Sequence, residues 1–502
     1  MKSRELVYEA TKMLKNEWID ENSNVHNYDN GKGIIVLNED VTEIGEGAFS
    51  DCCELTSIII PDSVTEICDF AFSGCNGLLS VEIPNSVTEI GIAAFDRCKG
   101  LTSLVIPDSV YRIGYAAFSG CESLASIFLP NSLKRMDPEV FSGCSSLRSI
   151  AIPKSVRKIG ISAFDGCDVA EILVENGNTT YDSRDNCNAI IETKNNKLIK
   201  GCSNTIIPKS VKKIGKDAFS GCSGLTSLNI PNSVTKIAKD AFYDCCGLTT
   251  IDIPDSVTEF GERAFYSCKG LTTINIPNSV TKIGKNAFAY CEGLASINIP
   301  DSVTEIGEEA FSGCSGLTSV NISNSVTKIG KNAFKNCRGL TSIIIPDSET
   351  EIEDYAFFNH RGLTSVNIPN SVTKIGKSAF YGCSGLTSII IPDSVTEIGE
   401  GAFGRSGLIS VDIPNSVTKI SKNAFAYCEG LTSINIPDSV TEIGEEAFYS
   451  CKGLTSINIP DSVTKIGENA FEFCDELIIN IPDSVTEVGK NAFLGCKIYN
   501  KK

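Results

Sequence analysis

Apolar and polar positions follow a fixed order that recurs through most of the chain. In residues 225–242, LTSLNIPNSVTKIAKDAF, the first apolar positions have the spacing L-x-x-L-x-L. Leu228 and Ile230 alternate with polar residues, which predicts a strand with one buried face. The proline that follows lacks a backbone N–H and ends the strand. Residues 234–237 then predict a second, shorter extended segment.

The end of the repeat carries three further apolar positions. Ala287, Phe288 and Cys291 are close enough in sequence to share one face of a single helical or 3₁₀ turn. A glycine such as Gly284 usually closes the second extended segment, and we expect it there because glycine adopts positive φ readily. No single copy can bury its own apolar residues, so the pattern predicts copies stacked on one another.

The repeat phenylalanine gives the period of this pattern. Apart from one interval of 55 residues between Phe164 and Phe219, it recurs every 23 residues, or every 22 at two joints. The nineteen positions are Phe49, Phe72, Phe95, Phe118, Phe141, Phe164, Phe219, Phe242, Phe265, Phe288, Phe311, Phe334, Phe357, Phe380, Phe403, Phe425, Phe448, Phe471 and Phe493. A chain of 502 residues would ordinarily suggest about three domains. Nineteen copies of one unit predict a single solenoid instead.

Four segments follow from the repeat boundaries. Residues 1–33 precede the repeats, and Leu6, Ala10, Met13, Leu14 and Trp18 have the spacing of an amphipathic helix that would cap the first repeat. Repeats 1–6 occupy residues 34–167, and repeats 7–19 with a short tail occupy residues 208–502. Between them, residues 168–207 form an insertion.

Composition excludes several classes of function. The net charge of −18 argues against a nucleic-acid partner, and no apolar run is long enough to enter a membrane. The chain has two histidines, no phosphate-binding glycine loop and no C-x-x-C pair for zinc. His360 stands where other repeats have cysteine, so we expect a buried filler rather than a base. We expect no enzymatic activity, no cofactor and no metal.

The 22 cysteines are mostly a repeat feature. Seventeen lie three residues after the repeat phenylalanine, where we expect small buried side chains with free thiols, because stacked Cβ vectors run parallel and suit a disulfide poorly. Cys187 and Cys202 flank the predicted hairpin of the insertion and are the one pair that we consider for a disulfide.

In the later repeats, charges on the predicted solenoid wall alternate from repeat to repeat, whereas the early repeats carry three acidic residues and then four basic ones: Glu43, Glu66, Glu89, Arg112, Arg135, Lys158 and Lys213. Before the isoleucine of V-T-x-I, lysine and glutamate alternate from Lys236 to Glu487. Neighbouring repeats then carry opposite charges, each pair contributing a few tenths of a kcal/mol by the usual values for exposed pairs. We interpret this ladder as a device for repeat pairing and solubility rather than as an ion-binding track.

The complete repeat, as in IPDSVTEIGEEAFSGCSGLTSV, resembles the BspA-type leucine-rich repeat of bacterial surface proteins and some parasitic protists. The match joins I-P, S-V-T-x-I-G, A-F and C-x-x-L, and the insertion resembles a hairpin-bearing insertion of the same family. The resemblance implies an α/β repeat fold: a right-handed leucine-rich-repeat solenoid with a parallel concave sheet, short second strands and helical turns on the other faces. It also implies an adhesin or interaction module at the cell surface or secreted, whereas the N-terminal residues lack an export signal and favour the cytoplasm.

Strand residues that point outward would line the concave face, where solenoids usually bind partners. In the first half these positions carry an apolar run, which indicates either a protein interface or a surface that the insertion covers: Ile59, Glu82, Val105, Phe128, Ala151 and Leu173. In the second half they are polar and suit either a glycan or solvent, as at Asn229, Asn275, Asn298 and Asn321.

The sequence therefore predicts a non-enzymatic scaffold that binds another macromolecule through its concave sheet. The partner would be a protein, such as a host or cell-surface protein. Two alternatives stay open. The chain could be an architectural or variable surface protein without one fixed ligand, or a carbohydrate-binding module that uses the asparagine wall.

Overall fold

The computed structural model describes residues 4–501, with side chains as far as residue 497. The chain forms two compact units: Met1–Val234 with Ala241–Gly247, and Thr235–Asp240 with Leu248–Lys502. Each unit is a solenoid of coils, and most coils contribute one longer and one shorter strand. Strands of successive coils pair in parallel and in register, so that Val105 lies opposite Phe128 and Ile306 lies opposite Ile329.

The longer strands form what we call the strand face of each unit. In the first unit they are Leu55–Ile59, Ser80–Glu82, Ser103–Val105, Ser126–Phe128, Ser149–Ile152, Glu171–Val174 and Ser227–Asn229. In the second unit they are Thr250–Asp252, Ser296–Ile299, Ser319–Ile322, Ser342–Ile344, Ser365–Asn367, Ser410–Asp412, Ser433–Asn435, Ser456–Asn458, Ile478–Ile481 and Ile498–Lys501.

The shorter strands, two residues each, form the wall of the coils. In the first unit they are Glu43–Ile44, Glu66–Ile67, Glu89–Ile90, Arg112–Ile113, Arg135–Met136, Lys158–Ile159 and Lys213–Ile214. In the second unit they are Lys236–Ile237, Lys282–Ile283, Glu305–Ile306, Lys328–Ile329, Glu351–Ile352, Lys374–Ile375, Glu397–Ile398, Lys419–Ile420, Glu442–Ile443, Lys465–Ile466 and Glu487–Val488.

The predicted helical turns of the repeat are not formed, so the α/β assignment was wrong. The described residues hold one α-helix, Glu17–Asn22, and one 3₁₀ helix, Arg184–Asn186. The Ala-Phe-x-x-Cys segments are irregular turns with left-handed residues on both sides of the phenylalanine. In one copy these are Asn286 with φ 55° and Tyr290 with φ 60°. Residues in this conformation interrupt a right-handed helix, which leaves tight corners.

The glycine that closes most of the short strands serves close approach rather than positive φ. Gly284 is absent from the left-handed residues, contrary to our expectation. A Cβ at Gly307 would instead lie 2.9 Å from the carbonyl carbon of Gly284 in the preceding coil. Successive coils therefore approach backbone to backbone at this corner, which favours glycine, although a few repeats accommodate another residue there, as at Ala238 and Ser421.

The N-terminal segment is also not the predicted helix. It forms the strands Glu5–Ala10, Ser23–Asp29 and Lys32–Leu37, with the short helix Glu17–Asn22 between the first two. The first strand pairs antiparallel with both Lys32–Leu37 and Leu55–Ile59. Leu6, Tyr8 and Ala10 are buried at every second position, so this segment extends the strand face of the first unit and covers its first coil.

The core of each unit is a column of phenylalanine rings. In the second unit, Phe311 lies with its ring centroid 5.4 Å from that of Phe288 and 5.3 Å from that of Phe334, with planes nearly parallel. The repeat cysteines lie beside this column. Cys314 donates its S–H to the carbonyl oxygen of Phe288, 3.1 Å away in the preceding coil, and most other repeat cysteines do the same.

The cysteines are free thiols throughout the chain. Fifteen of the seventeen repeat thiols are buried, while Cys52 and Cys496, in the first and last repeats, are half-buried. The disulfide considered for Cys187 and Cys202 is not formed: Cys202 donates its S–H to the carbonyl oxygens of Ala170 and Asn188, at 3.3 and 3.4 Å.

Burial makes the repeat thiols unreactive, which an alkylation experiment checks. Burial raises the pKa of Cys222 to about 12 and that of Cys428 to about 11, so the reactive thiolate is rare at neutral pH. With iodoacetamide on the native protein we expect rapid modification only at the exposed Cys53 and Cys246, and complete modification in denaturant. Intact-mass spectrometry with peptide mapping measures both states, and rapid native labelling of the buried column would contradict the structure.

The alternating charges of the wall meet as predicted. Lys282 Nζ lies 2.8 Å from a carboxylate oxygen of Glu305, and Lys285 Nζ lies 2.8 Å from Glu308. The side chains are about half exposed, so each pair contributes little stability on its own. The ladder instead favours stacking in which a repeat with lysine lies next to a repeat with glutamate.

The insertion contains an antiparallel hairpin, formed by strands Ala189–Glu192 and Lys197–Gly201, with Tyr181–Asp182 paired to the first of them. The second hairpin strand pairs in parallel with Lys213–Ile214 of the next repeat. Gly201 takes the place of a repeat phenylalanine, since the S–H of Cys222 points to its carbonyl oxygen, 3.6 Å away. The hairpin is thus built into the stack of coils.

Candidate functional site

The apolar outward positions of the first unit form one continuous column on the strand face. Val105 lies directly opposite Phe128, and Ala151 lies directly opposite Leu173 in the next pair of strands. Val105 is 65 % exposed, Phe128 67 % and Leu173 58 %. Ile59 begins this part of the column opposite Glu82, its one charged member. We call the column the apolar strip.

The N-terminal strands lengthen the apolar strip by two positions. Val7 lies opposite Ile59 on one side and opposite Ile34 on the other. Ile34 is 40 % exposed, and the strand alternation places Val7 on the same outward face. The sequence signal for this extension was the alternation of Leu6, Tyr8 and Ala10. The same segment also has helical spacing, which predicted a helix instead.

The insertion borders the apolar strip rather than covering it. Leu173, the strip residue nearest to it in sequence, stays mostly exposed. Asn188 accepts a hydrogen bond from the backbone N–H of Ile172 at 2.6 Å, and the hydroxyl of Ser183 accepts one from Val174 at 2.9 Å. These side chains occupy the edge of strand Glu171–Val174 where another strand would otherwise pair.

A groove of about 620 Å³ lies where the strip meets the insertion. Ala151 and Leu173 line its apolar side, and Ser183, Asn186 and Asn204 line its polar side. The strip therefore ends at a polar wall whose amide and hydroxyl groups can hydrogen-bond to a partner.

The predicted asparagine positions do not join this site. Asn229 lies on the strand face of the first unit, and Asn275, Asn298 and Asn321 lie on that of the second; all four are exposed. Asn321 donates a hydrogen bond to the Asn298 side chain at 2.6 Å. Some amide groups of these asparagines are therefore already hydrogen-bonded to one another. The same column in the second unit is interrupted by Ile344 and Ile390, which are 68 % and 84 % exposed and which we did not single out, although I-I-I-P replaces I-N-I-P there.

The apolar strip has no cluster of metal-ligating side chains among the described residues, and the buried histidine lies elsewhere. Within the part of the chain that the structure describes, no three histidine, cysteine or acidic side chains are placed to hold a metal ion. His360 is fully buried in the other unit, with its Nε2 directed to the carbonyl oxygen of Phe334. The geometry of the strip suits non-covalent contact with an apolar surface.

No helix among residues 4–501 has the length and apolar character needed to cross a bilayer.

Several solved structures are similar to this chain. A leucine-rich cell surface protein from Faecalibacterium prausnitzii is 32 % identical over 63 % of this chain and 84 % of its own, with a TM-score of 0.48. A leucine-rich repeat protein from Bacteroides ovatus is 26 % identical over 93 % and 97 %, with a TM-score of 0.41. The pneumococcal vaccine antigen PcpA is 22 % identical over 70 % and 81 %, with a TM-score of 0.48. No curated protein matches the chain.

One family model matches nearly all of the sequence. The model for the BspA type leucine rich repeat region, of six copies, matches residues 26–91, 65–189, 195–318, 304–432 and 418–501. These ranges contain all the repeat phenylalanines, and the one gap between them, residues 190–194, falls within the insertion hairpin. The chain therefore belongs to the family of proteins with BspA-type leucine-rich repeats.

Proposed function

We propose that this chain is a non-enzymatic scaffold that binds another protein through the apolar strip of its first unit. The observation that carries the proposal is the unbroken run of exposed Val105, Phe128, Ala151 and Leu173 across four neighbouring strands. A contiguous apolar surface of this kind is typical of a protein interface. Because the strands are held by backbone pairing, binding would order little of the chain and lose little entropy.

The charges around the strip indicate the chemistry of the partner. Glu5, Glu82 and Glu171 are exposed on the strand face beside or within the strip. The chain as a whole carries −18. A partner with an apolar ridge flanked by lysine or arginine would complement this surface and would be steered towards it by long-range attraction.

We also propose that binding takes place at a cell surface. The Faecalibacterium protein, which is 32 % identical, is described as a cell surface protein. An adhesin-like role for this chain would combine that location with the strip as the contact surface.

Replacing Val105 and Phe128 together by aspartate tests the strip. Proteins captured by the wild-type chain are identified by mass spectrometry, and a purified one is measured by biolayer interferometry. We expect its dissociation constant to rise by about 100-fold or more, since two central contacts would become buried charges without partners. The thermal melt followed by circular dichroism should not change, because both side chains are exposed.

The matched control is Asn298→Asp with Asn321→Asp, which adds the same two neighbouring charges on the strand face of the other unit. This control should bind as the wild type does. Equal binding by the strip variant and the wild type would refute the proposal. Loss of binding by both variants would indicate general charge repulsion, and absence of any saturable partner would favour the architectural alternative.

A further inference from the structure

A column of charges runs along the edge of the coils where each repeat cysteine is followed by a polar residue. Opposite charges meet there in successive repeats: Lys99 Nζ lies 2.9 Å from Glu122, Lys269 Nζ lies 3.5 Å from Glu292, and Lys452 Nζ lies 3.3 Å from Glu429. We call this the edge column. Its rule is that a cation has a carboxylate in a neighbouring coil, the next or the preceding one.

The edge column breaks this rule at one place in the second unit. Arg338 and Arg361 occupy it in consecutive repeats, and both are exposed. A Cβ at Gly362 would lie 3.0 Å from the carbonyl oxygen of Arg338, so the two repeats are in direct contact at this edge. Neighbouring like charges are unfavourable without a counter-charge. Neither arginine has an ion pair among the described residues.

Two more cations without ion pairs lie in the segments that follow the phenylalanines of these neighbouring repeats. Lys335 Nζ lies 5.5 Å from the ring centroid of Phe358, and the Arg405 guanidinium lies 4.7 Å from that of Tyr427. Within the described chain, aromatic rings rather than carboxylates are their partners. The edge segments of five consecutive repeats, at residues 311–316, 334–339, 357–362, 380–385 and 403–407, contain four cations and no acidic residue.

Aromatic rings are interleaved with these cations. Phe358 and Tyr381 lie face to face, with ring centroids 5.3 Å apart and planes 6° apart, and both are half-buried. Phe358 lies three residues before Arg361 in the same repeat, and Tyr381 lies in the next repeat. We name the set Lys335, Arg338, Arg361, Arg405, Phe358 and Tyr381 the basic edge.

The repeat at the centre of the basic edge departs from the repeat pattern inside the core as well. Glu349 takes the position of the repeat valine and His360 that of the repeat cysteine, and both are buried. Burial raises the pKa of Glu349 and lowers that of His360 to about 4. Such local departures are expected where a surface is adapted to function.

We propose that the basic edge binds an anionic polysaccharide. Guanidinium groups form paired hydrogen bonds with carboxylates and sulfates, and adjacent arginines would be relieved of their mutual repulsion by one such chain. The faces of Phe358 and Tyr381 offer flat apolar area to the C–H faces of sugar rings. The proposal concerns the second unit and is independent of the apolar strip. It also differs from the asparagine wall, which lacks both cations and aromatic rings.

The test measures fluorescence anisotropy of the intact protein with three labelled probes. A hyaluronan octasaccharide supplies carboxylates, a heparin octasaccharide supplies sulfates as well, and a single-stranded thymidine oligonucleotide of matched charge supplies phosphates. We expect one or both sugars to bind more tightly than the oligonucleotide, and binding to weaken as sodium chloride rises from about 50 to about 200 mM. Comparison of the two sugars identifies the preferred anionic group.

The decisive variant is Arg338→Ser with Arg361→Ser. Serine is the natural residue at this position in the repeats on either side, at Ser315 and Ser384, so the fold should tolerate it. We expect affinity for the sugar to fall by about tenfold or more as two charge-assisted contacts are lost. Phe358→Ser should weaken sugar binding at both salt concentrations, because the ring contact does not depend on ionic strength.

The matched control is Lys269→Ser with Lys452→Ser, which removes two cations from the same edge column and changes the net charge equally. Both lysines have carboxylate partners, so this variant should bind the sugars nearly as the wild type does. The proposal fails if neither sugar binds saturably, if the arginine variant and the control lose affinity equally, or if the oligonucleotide binds most tightly. The last result would assign the edge to nucleic acid.

Discussion

Phe311→Ala is expected to lower the free energy of unfolding of the second unit by about 3–5 kcal/mol, the usual loss for a buried phenylalanine. The ring has no exposed surface and lies between those of Phe288 and Phe334. Each coil meets only its two neighbours, so the cavity would open both contacts of one coil at once. Urea unfolding followed by circular dichroism measures the effect.

A suitable control is Phe473→Ala, which removes the same side chain from a 42 % exposed site in the same unit. The expected loss there is below about 1 kcal/mol, since little apolar area returns to water. Equal losses for the two variants would show that the phenylalanine column is not the source of stability.

His360 is expected to make the chain less stable as pH falls from about 6.5 to about 4. Burial lowers the pKa of its imidazole to about 4, while the unfolded chain has the ordinary value near 6.5. As pH falls, the unfolded state therefore binds a proton before the folded state does. The stability that depends on a neutral His360 is fully present above about pH 6.5 and is lost below it. Across this interval the loss is about 3 kcal/mol, from 1.36 kcal/mol for each pKa unit.

His360→Cys restores the residue of the repeat and should remove this dependence. A cysteine thiol can donate a hydrogen bond to the carbonyl oxygen of Phe334, which His360 Nε2 now contacts. Cysteine has no second polar atom, so the buried Nδ1 without a hydrogen-bond partner is removed. The variant should also gain about 1–3 kcal/mol at neutral pH, because that buried atom is no longer without a partner.

The measurement compares urea unfolding of wild type and variant between pH 4 and pH 7. Glu349 also titrates, since burial raises the pKa of its carboxyl, but it is present in both proteins and cancels from the difference. Parallel stability curves for the two proteins would show that His360 is not the group responsible.

The repeat strands could be predicted because one signal is copied nineteen times. The corners could not, because the sequence alone does not distinguish a helical turn from a left-handed corner. Asn286 and Tyr290 suit either reading, and the contact between coils decides in favour of the corner. Gly284 was correctly marked as special, but for backbone contact instead of positive φ.

The N-terminal segment shows how pairing overrides local spacing. Leu6, Ala10 and Leu14 suit a helix, while Leu6, Tyr8 and Ala10 suit a strand. The exposed edge of strand Leu55–Ile59 needs backbone partners, and the N-terminal strand supplies them. This non-local demand also adds Val7 and Ile34 to the apolar strip.

The candidate surfaces were predictable to different degrees. Positions such as Val105 and Phe128 were identified from alternation, and their exposure agrees with the outward direction assigned to them. The role of the insertion was not predictable, because its side chains occupy a strand edge through contacts such as Asn188 to Ile172. The basic edge was missed because its six members are spread over four repeats, which only stacking brings together.

The alternating charges of the wall in the second unit constrain how that part of the chain can change its length, whereas the first unit has like charges in neighbouring repeats, as at Glu43 and Glu66. Loss or gain of one repeat would place two lysines or two glutamates side by side, whereas a change by two repeats restores opposite neighbours. Residues 279–311 and 416–448 differ at only two positions and lie six repeats apart, an even number. The salt-bridge ladder thus acts as a parity rule on duplication, and it favours growth of the protein in pairs of repeats.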